Sequence, residues 1–425
     1  MKRRELLKFL GGSAALAGAG LWPRASLAQT RARVVVVGGG FGGATAARYL
    51  RIIDPSLQVT LVEPARQYIT CPMSNDYIAG ERDFSSLVRS YAPLRARRVN
   101  VVHDSVTRID PRARRVFLRG GSTLAYDRLV VSPGIDFQWN AIAGYDEAAS
   151  LRMPHAWKAG DQSRLLHDQL HAMPDAGTVI IVAPAAPYRC PPGPYERVSL
   201  IAHYLTTYKQ RAKILVLDAK NEFIKQALFE QGWAELYPRG MIEWVPLDQG
   251  GRVTAVDVRN MRVTSDGGVH RGDVINVIPP QRAGALAHSA GLADRSGWCP
   301  IDPRTFESRL QPNIHVIGDA TIAGAMPKSG VSANTQAKVA AQAIVDLLRG
   351  HEPSAPSFLN ACFSLVGPSW GISVAAVYEV GPDNTIVAVK DSGGVSQLDA
   401  SLRHRRLESL FWNSWYENII ADSFG

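Results

Sequence analysis

Residues 34–43 read Val-Val-Val-Val-Gly-Gly-Gly-Phe-Gly-Gly, and this stretch limits what the chain can fold into more than any other. Four successive valines are stiff at χ1 and favour a buried strand. Gly38, Gly40 and Gly43 fit G-x-G-x-x-G. The first allows a tight turn, the second lets backbone approach a pyrophosphate, and the third lets the next helix pack on the sheet. That helix carries Ala44, Ala46 and Ala47, and its free N-terminal N–H groups favour anions. A second strand, Val59-Thr60-Leu61-Val62, runs into Glu63. Glu63 lies 20 residues beyond Gly43, where a carboxylate is expected to grip ribose hydroxyls. A glycine-rich turn with no ligand would not need strand, helix, second strand and acid in register. The stretch is therefore read as a dinucleotide site.

The segment before it reads as an address. Lys2-Arg3-Arg4-Glu5-Leu6-Leu7-Lys8 precedes an apolar stretch rich in Gly and Ala, and Ser26-Leu27-Ala28 offers small residues for cleavage. Residues 1–29 are expected to be a twin-arginine export signal. The apolar run is short and Gly-rich for a membrane anchor. The predicted destination is the periplasm, and no later segment is apolar for long enough to cross a bilayer.

Size and charge fit a globular enzyme of two or three domains: 425 residues, 46% of them hydrophobic. The net charge is +9; the first 28 residues contribute +4 of it, leaving +5 for the remainder. Arg95, Arg97 and Arg98, and Arg112, Arg114 and Arg115, are short basic runs. With no nucleic-acid motif beside them they read as solvated faces, not as a nucleic-acid site.

The rest of the chain alternates strand and helix. The expected divisions are a dinucleotide-binding part over 30–150, a second Rossmann-like unit over 151–285, a return to the first unit over 286–352, and a small C-terminal domain over 353–425. Leu129 to Gly134 resembles the strand that runs into a turn against the flavin dinucleotide in two-dinucleotide-domain flavoproteins. Ile314 to Ala320 reads as a buried strand ending in Gly318-Asp319, whose aspartate meets the ribityl chain in many flavin enzymes. The second unit opens on Thr178-Val179-Ile180-Ile181-Val182, but no glycine fingerprint follows. Its turn, Ala183 to Pro194, is rich in proline and contains Cys190. Proline donates no N–H, so a phosphate cradle for a nicotinamide nucleotide is not expected there.

Four cysteines remain, Cys71, Cys190, Cys299 and Cys362. Their spacing fits no zinc or haem signature, and no metal site is expected. In an oxidising compartment they allow three full pairings; four buried free thiols are the plain alternative.

Several stretches together resemble the flavoprotein subunit of flavocytochrome c sulfide dehydrogenase. They are Thr70-Cys71-Pro72-Met73-Ser74-Asn75, Arg189-Cys190-Pro191-Pro192-Gly193-Pro194-Tyr195-Glu196-Arg197, Thr305-Phe306-Glu307-Ser308, His315-Val316-Ile317-Gly318-Asp319-Ala320, Met326-Pro327-Lys328-Ser329 and Asn360-Ala361-Cys362. The resemblance implies an α/β fold with two dinucleotide-binding-like domains of the glutathione-reductase type plus a small α+β C-terminal interface domain. It implies FAD joined to the chain through a thioether at Cys71, and a redox-active disulfide between Cys190 and Cys362. Pro72 after the flavin cysteine departs from the family pattern. Cys299 has no family role and reads as a buried thiol.

Hydrosulfide is a soft nucleophile that attacks a disulfide sulfur, giving a persulfide and a thiolate able to pass electrons to a nearby flavin. Glu196, at a helix start, is a candidate base for sulfide protons; a carboxylate satisfying helix N–H groups is the plain alternative. The resemblance sets Lys328 near the flavin pyrimidine ring, where its charge would stabilise the reduced cofactor. The expected partner is a c-type cytochrome chain in a heterodimer, because no haem motif is present here. A sulfide:quinone oxidoreductase is the alternative. A flavin-loaded binding partner of sulfur-oxidising proteins is a third reading, which the redox cysteines oppose.

Overall fold

In a computed structural model, residues 31–425 are described. The expected export signal, 1–29, lies outside them. Residues 32–425 form one compact unit.

The valine run becomes strand Arg33–Val37, the centre of a five-stranded parallel sheet. The order is Ile314–Val316, Arg128–Val131, Arg33–Val37, Gln58–Val62, Asn100–Val102. Val34 to Val37 are all buried, as the middle strand of a covered parallel sheet requires. Helix Phe41–Ile53 packs against helix Gly330–Leu348. Gly42, Gly43, Ala44, Ala46 and Ala47 on the first and Ala333, Ala337, Ala340, Ala341 and Ala343 on the second are buried, and these short residues allow close approach.

A second parallel sheet has the order Ile242–Val245, Lys213–Asp218, Thr178–Ala183, Val274–Val277. Helix Gly193–Tyr208 follows its proline-rich turn. Strands Ile135–Phe137 and Gln281–Ala283 pair antiparallel where the chain leaves and re-enters the first unit. This is the expected α/β architecture of two dinucleotide-binding-like units.

The C-terminal segment adds an antiparallel hairpin, Ser357–Gly367 with Trp370–Val380, and a 23-residue helix, Leu402–Phe424. That helix ends on the glycine-turn helix. Phe424 meets the rings of Phe41 and Tyr68 at centroid separations of 5.6 and 5.2 Å. Asp422 accepts from Tyr49 at 2.7 Å and pairs with Lys338 at 2.6 Å. Among the described residues no helix is long and apolar enough to cross a membrane.

Candidate active site

At the end of the first strand Gly38 has φ +96, a conformation glycine adopts without strain. A Cβ there would lie 2.3 Å from the Ser132 carbonyl oxygen. One on Gly43 would lie 1.8 Å from the Gly38 oxygen, so turn and helix are pressed together. Gly40 differs: its nearest neighbour would be the Tyr68 ring, 3.6 Å away, which leaves its backbone approachable. No side chain caps helix Phe41–Ile53, so its first N–H groups stay available to a phosphate. Glu63 is fixed by two backbone donors, Gly39 N–H at 2.7 Å and Ala65 N–H at 2.9 Å. Each carboxylate oxygen retains a lone pair for a ribose hydroxyl.

On the far side of the sheet, Gly318 has φ +78 and its N–H donates to Gln336 at 2.8 Å. Burial pushes the Asp319 carboxyl up, against the opposing pull of Arg189 and Lys328. One Asp319 oxygen, Oδ1, is buried and has no hydrogen-bond partner among the described residues. A buried acceptor left open is expensive unless a ligand hydroxyl completes it. Glycine turn, uncapped helix, Glu63 and open Asp319 fit an extended dinucleotide such as FAD.

Asp319 lines a cavity together with Cys71, Cys190, Cys362 and Glu196. Cys71 lies just before helix Ser74–Ile78, and its thiol donates to the Trp157 carbonyl at 3.6 Å. Arg189 donates to the same carbonyl and stands 3.9 Å from Asp319 Oδ2. Cys190, at φ +55, is anchored by its N–H donating to the Lys328 carbonyl at 2.8 Å. A Cβ on Gly193 would come within 3.0 Å of the Cys190 sulfur, so the thiol rests on the start of helix Gly193–Tyr208. Burial holds this thiol well above its usual range, and neighbouring Cys362 adds to the effect. Cys362 is on strand Ser357–Gly367.

In this structure all four cysteines are thiols, Cys190 and Cys362 among them. Cys362 is turned toward the Phe363 carbonyl, 3.8 Å from its sulfur, while Cys190 rests on Gly193. The two nonetheless line one cavity although 172 positions separate them. Cys299 is fully buried on a short strand paired with Thr321–Ile322, outside that cavity. Burial raises its thiol to about 12.

Glu196 does not serve its own helix start. It accepts from Asn75 at 2.9 Å, from the Leu365 N–H at 3.0 Å and from Trp412 at 3.2 Å. Burial raises its carboxyl, and these donors pull it back. Lys328 takes its bonds outside the cysteine cavity. Its ammonium donates to the Asp319 and Thr321 carbonyls at 2.8 and 2.7 Å and sits 3.7 Å from the Trp298 ring centroid. It therefore lines a separate cleft of about 710 Å³, not the cysteine cavity. Burial lowers it to about 8.

Sequence reasoning did not single out Arg189, Arg197 or Trp157. Arg197 is buried and donates to Asn75 at 3.0 Å, Asn276 at 2.9 Å and the Ala156 carbonyl at 2.7 Å. With no carboxylate ion pair among the described residues, burial lowers it to about 10. Arginines at 189 and 197 flanking Cys190 and Glu196 were the available signal.

Three families match the chain. Residues 32–168 match pyridine nucleotide-disulphide oxidoreductase, residues 163–279 the central part of the sulfide dehydrogenase (flavocytochrome c) flavoprotein chain, and residues 354–424 the flavin-binding part of flavocytochrome c sulphide dehydrogenase. A sulfide dehydrogenase (flavocytochrome c) flavoprotein chain from Chlorobaculum thiosulfatiphilum is 70% identical over 43 residues, 10% of this chain and 90% of that sequence. The mitochondrial sulfide:quinone oxidoreductase of Mus musculus is 24% identical over 342 residues, 74% of this chain and 70% of that one. Among solved structures, the sulfide:quinone oxidoreductase of Aquifex aeolicus superimposes with a TM-score of 0.70 at 19% identity, covering 92% of each chain. The covalent putidaredoxin reductase–putidaredoxin complex contains a chain with a TM-score of 0.64 at 17% identity, covering 92% of this chain and 99% of that one.

Proposed function

The chain belongs to the flavoprotein chains of flavocytochrome c sulfide dehydrogenase, and from that membership we propose that it oxidises sulfide with FAD, relays the electron pair through Cys190 and Cys362, and delivers electrons to a c-type cytochrome on another chain. The observation that carries this reading is the convergence of Cys71, Cys190, Cys362, Glu196 and Asp319 on one cavity. FAD, when bound, supplies a two-electron acceptor that gives electrons up singly. Gly38, Gly40, Gly43 and Glu63 would hold its pyrophosphate and ribose. Asp319, beside Gly318, would take a ribityl hydroxyl, and Cys71 would form the thioether.

On this reading the thiols Cys190 and Cys362 are oxidised to a disulfide before sulfide arrives, the state an oxidising compartment favours. Hydrosulfide attacks one sulfur. The Cys–Cys bond breaks, a new S–S bond forms, and the other cysteine leaves as a thiolate. The incoming sulfur is oxidised and the cysteine pair is reduced by two electrons. Glu196 takes the sulfide proton, which its burial-raised affinity favours. Cationic Arg189 and Arg197 flank the cavity and offset the anionic charge.

Sulfide added without oxygen to folded, FAD-loaded protein should bleach the flavin absorption. Cys190→Ser and Cys362→Ser, first checked for folding and FAD content, should not be bleached. A wild-type rate in either variant overturns the relay. Quinone as the acceptor is the second reading, favoured by the longer match to sulfide:quinone oxidoreductase. Reoxidation of the reduced protein by a soluble quinone but not by a c-type cytochrome would establish it.

A further inference from the structure

We propose that Lys225 is the positioning cation of the cysteine pair, stabilising the Cys362 thiolate when the bridge opens; this rests on the sulfide-oxidation reading above. Lys225 immediately precedes helix Gln226–Leu236 and is buried, with 7% of its surface exposed. Its ammonium donates to Ser364 Oγ at 2.8 Å. Ser364 lies two residues beyond Cys362 on strand Ser357–Gly367, in unbroken register with Ile372 and Val374 of the partner strand. Residues i and i+2 of a strand project from the same face, about 7 Å apart along it. The ammonium is thus anchored on the face from which Cys362 projects.

The charged and titratable groups that act most on Lys225 sit on four elements: Cys362 on the strand, Glu196 on helix Gly193–Tyr208, Cys190 on the proline-rich loop and Glu408 on the C-terminal helix. Among the described residues no carboxylate lies within ion-pairing distance of it. Its charge is therefore not spent on a salt bridge. Burial raises the Cys362 thiol, Lys225 opposes that rise and Glu196 adds to it.

Consider the opening step with hydrosulfide as the nucleophile. It bonds to Cys190, the Cys190–Cys362 bond breaks, and the electron pair leaves on Cys362. A departing thiolate of lower basicity leaves faster. An opposite charge nearby lowers a group's pKa by about one to three units. Lys225 is placed to do this from outside the lining of the cysteine cavity, on the neighbouring cleft. Its position also opens helix Gln226–Leu236, with Leu228 and Phe229 N–H groups bonding to its carbonyl, so a purely structural role must be distinguished.

The test reduces the FAD-loaded protein with a phosphine and alkylates it with iodoacetamide across the pH range. Modification of Cys362 is followed by peptide mass spectrometry. Lys225→Met should move the inflection upward by about one to three pH units. Lys225→Gln keeps a donor for Ser364 but no charge, and should behave like the Met variant. Lys225→Arg should restore the wild-type inflection. If Lys225→Met does not fold, the Gln and Arg variants carry the same comparison. An unchanged inflection in Lys225→Gln overturns the proposal. The titration needs no sulfide, so its failure is distinguishable from failure of sulfide to bleach the flavin.

Discussion

The N–H of Cys190 donates to the carbonyl of Lys328 at 2.8 Å, tying the loop after strand Thr178–Ala183 of the second sheet to the segment that leads into helix Gly330–Leu348. One hydrogen bond therefore links the two α/β units beside the cysteine cavity. It uses only backbone atoms, so side-chain changes at 328 leave it in place. The Lys328 side chain is then free to serve the neighbouring cleft against Trp298.

FAD is expected to stay with the polypeptide through denaturation because Cys71 lies in the cavity that Asp319 also lines. After unfolding and gel filtration, yellow colour should elute with the protein. Cys71→Ala should release its flavin on denaturation yet still bind it when folded, since the glycine turn and Glu63 are untouched. Colour among the small molecules from wild-type protein would refute the thioether.

Replacing Gly43 should damage the fold. Its Cβ would sit 1.8 Å from the Gly38 oxygen, a backbone atom that cannot swing away. Gly43→Ala should cost about 1–3 kcal/mol, the usual range for overpacking, and lower FAD retention. Gly40→Ala meets its nearest atom at 3.6 Å and should fold normally while weakening FAD binding. Thermal unfolding with flavin content read in parallel separates the two; equal losses of stability would contradict the difference in space.

Glu196 should make stability fall as pH rises. Burial raises its folded-state pKa above the unfolded value. A group shifted in that direction stabilises fully below its unfolded pKa, and that contribution is lost as pH climbs through the folded one. Glu196→Gln removes the dependence, so the variant should gain on wild type from the ordinary glutamate range toward neutrality. If Glu196 handles the sulfide proton, the same variant should slow flavin bleaching by about 10²–10⁴-fold. Thermal melts over pH and stopped-flow bleaching measure the two effects independently.

Export should depend on the arginine pair. Arg3→Lys with Arg4→Lys should leave folded, flavin-loaded protein in the cytoplasm. Fractionation showing efficient delivery to the periplasm would rule out the twin-arginine reading.

What the sequence by itself determined is what neighbours along the chain decide. Gly38, Gly40 and Gly43 need only a strand and the helix it enters, so their spacing announced the turn. Glu63 followed because one helix and one strand fix how far the chain runs before it returns to the sheet. The proline-rich turn likewise spoke against a nicotinamide cradle, since missing N–H groups are a property of the residues themselves. The Cys190–Cys362 pairing did not come from spacing, which left three pairings open; only the resemblance singled it out. Tertiary structure decided the rest. Glu196 was legible as a candidate base at a helix start, but not its donors Asn75, Leu365 and Trp412, which arrive from three distant segments. The Lys328 charge was legible, but not its direction, which two nearby carbonyls and Trp298 impose. Lys225 carried no motif, and only packing of strand Ser357–Gly367 brings Ser364 within 2.8 Å of it. Burial and distant partners set the charge and orientation of these side chains, and neither is encoded in the residues beside them.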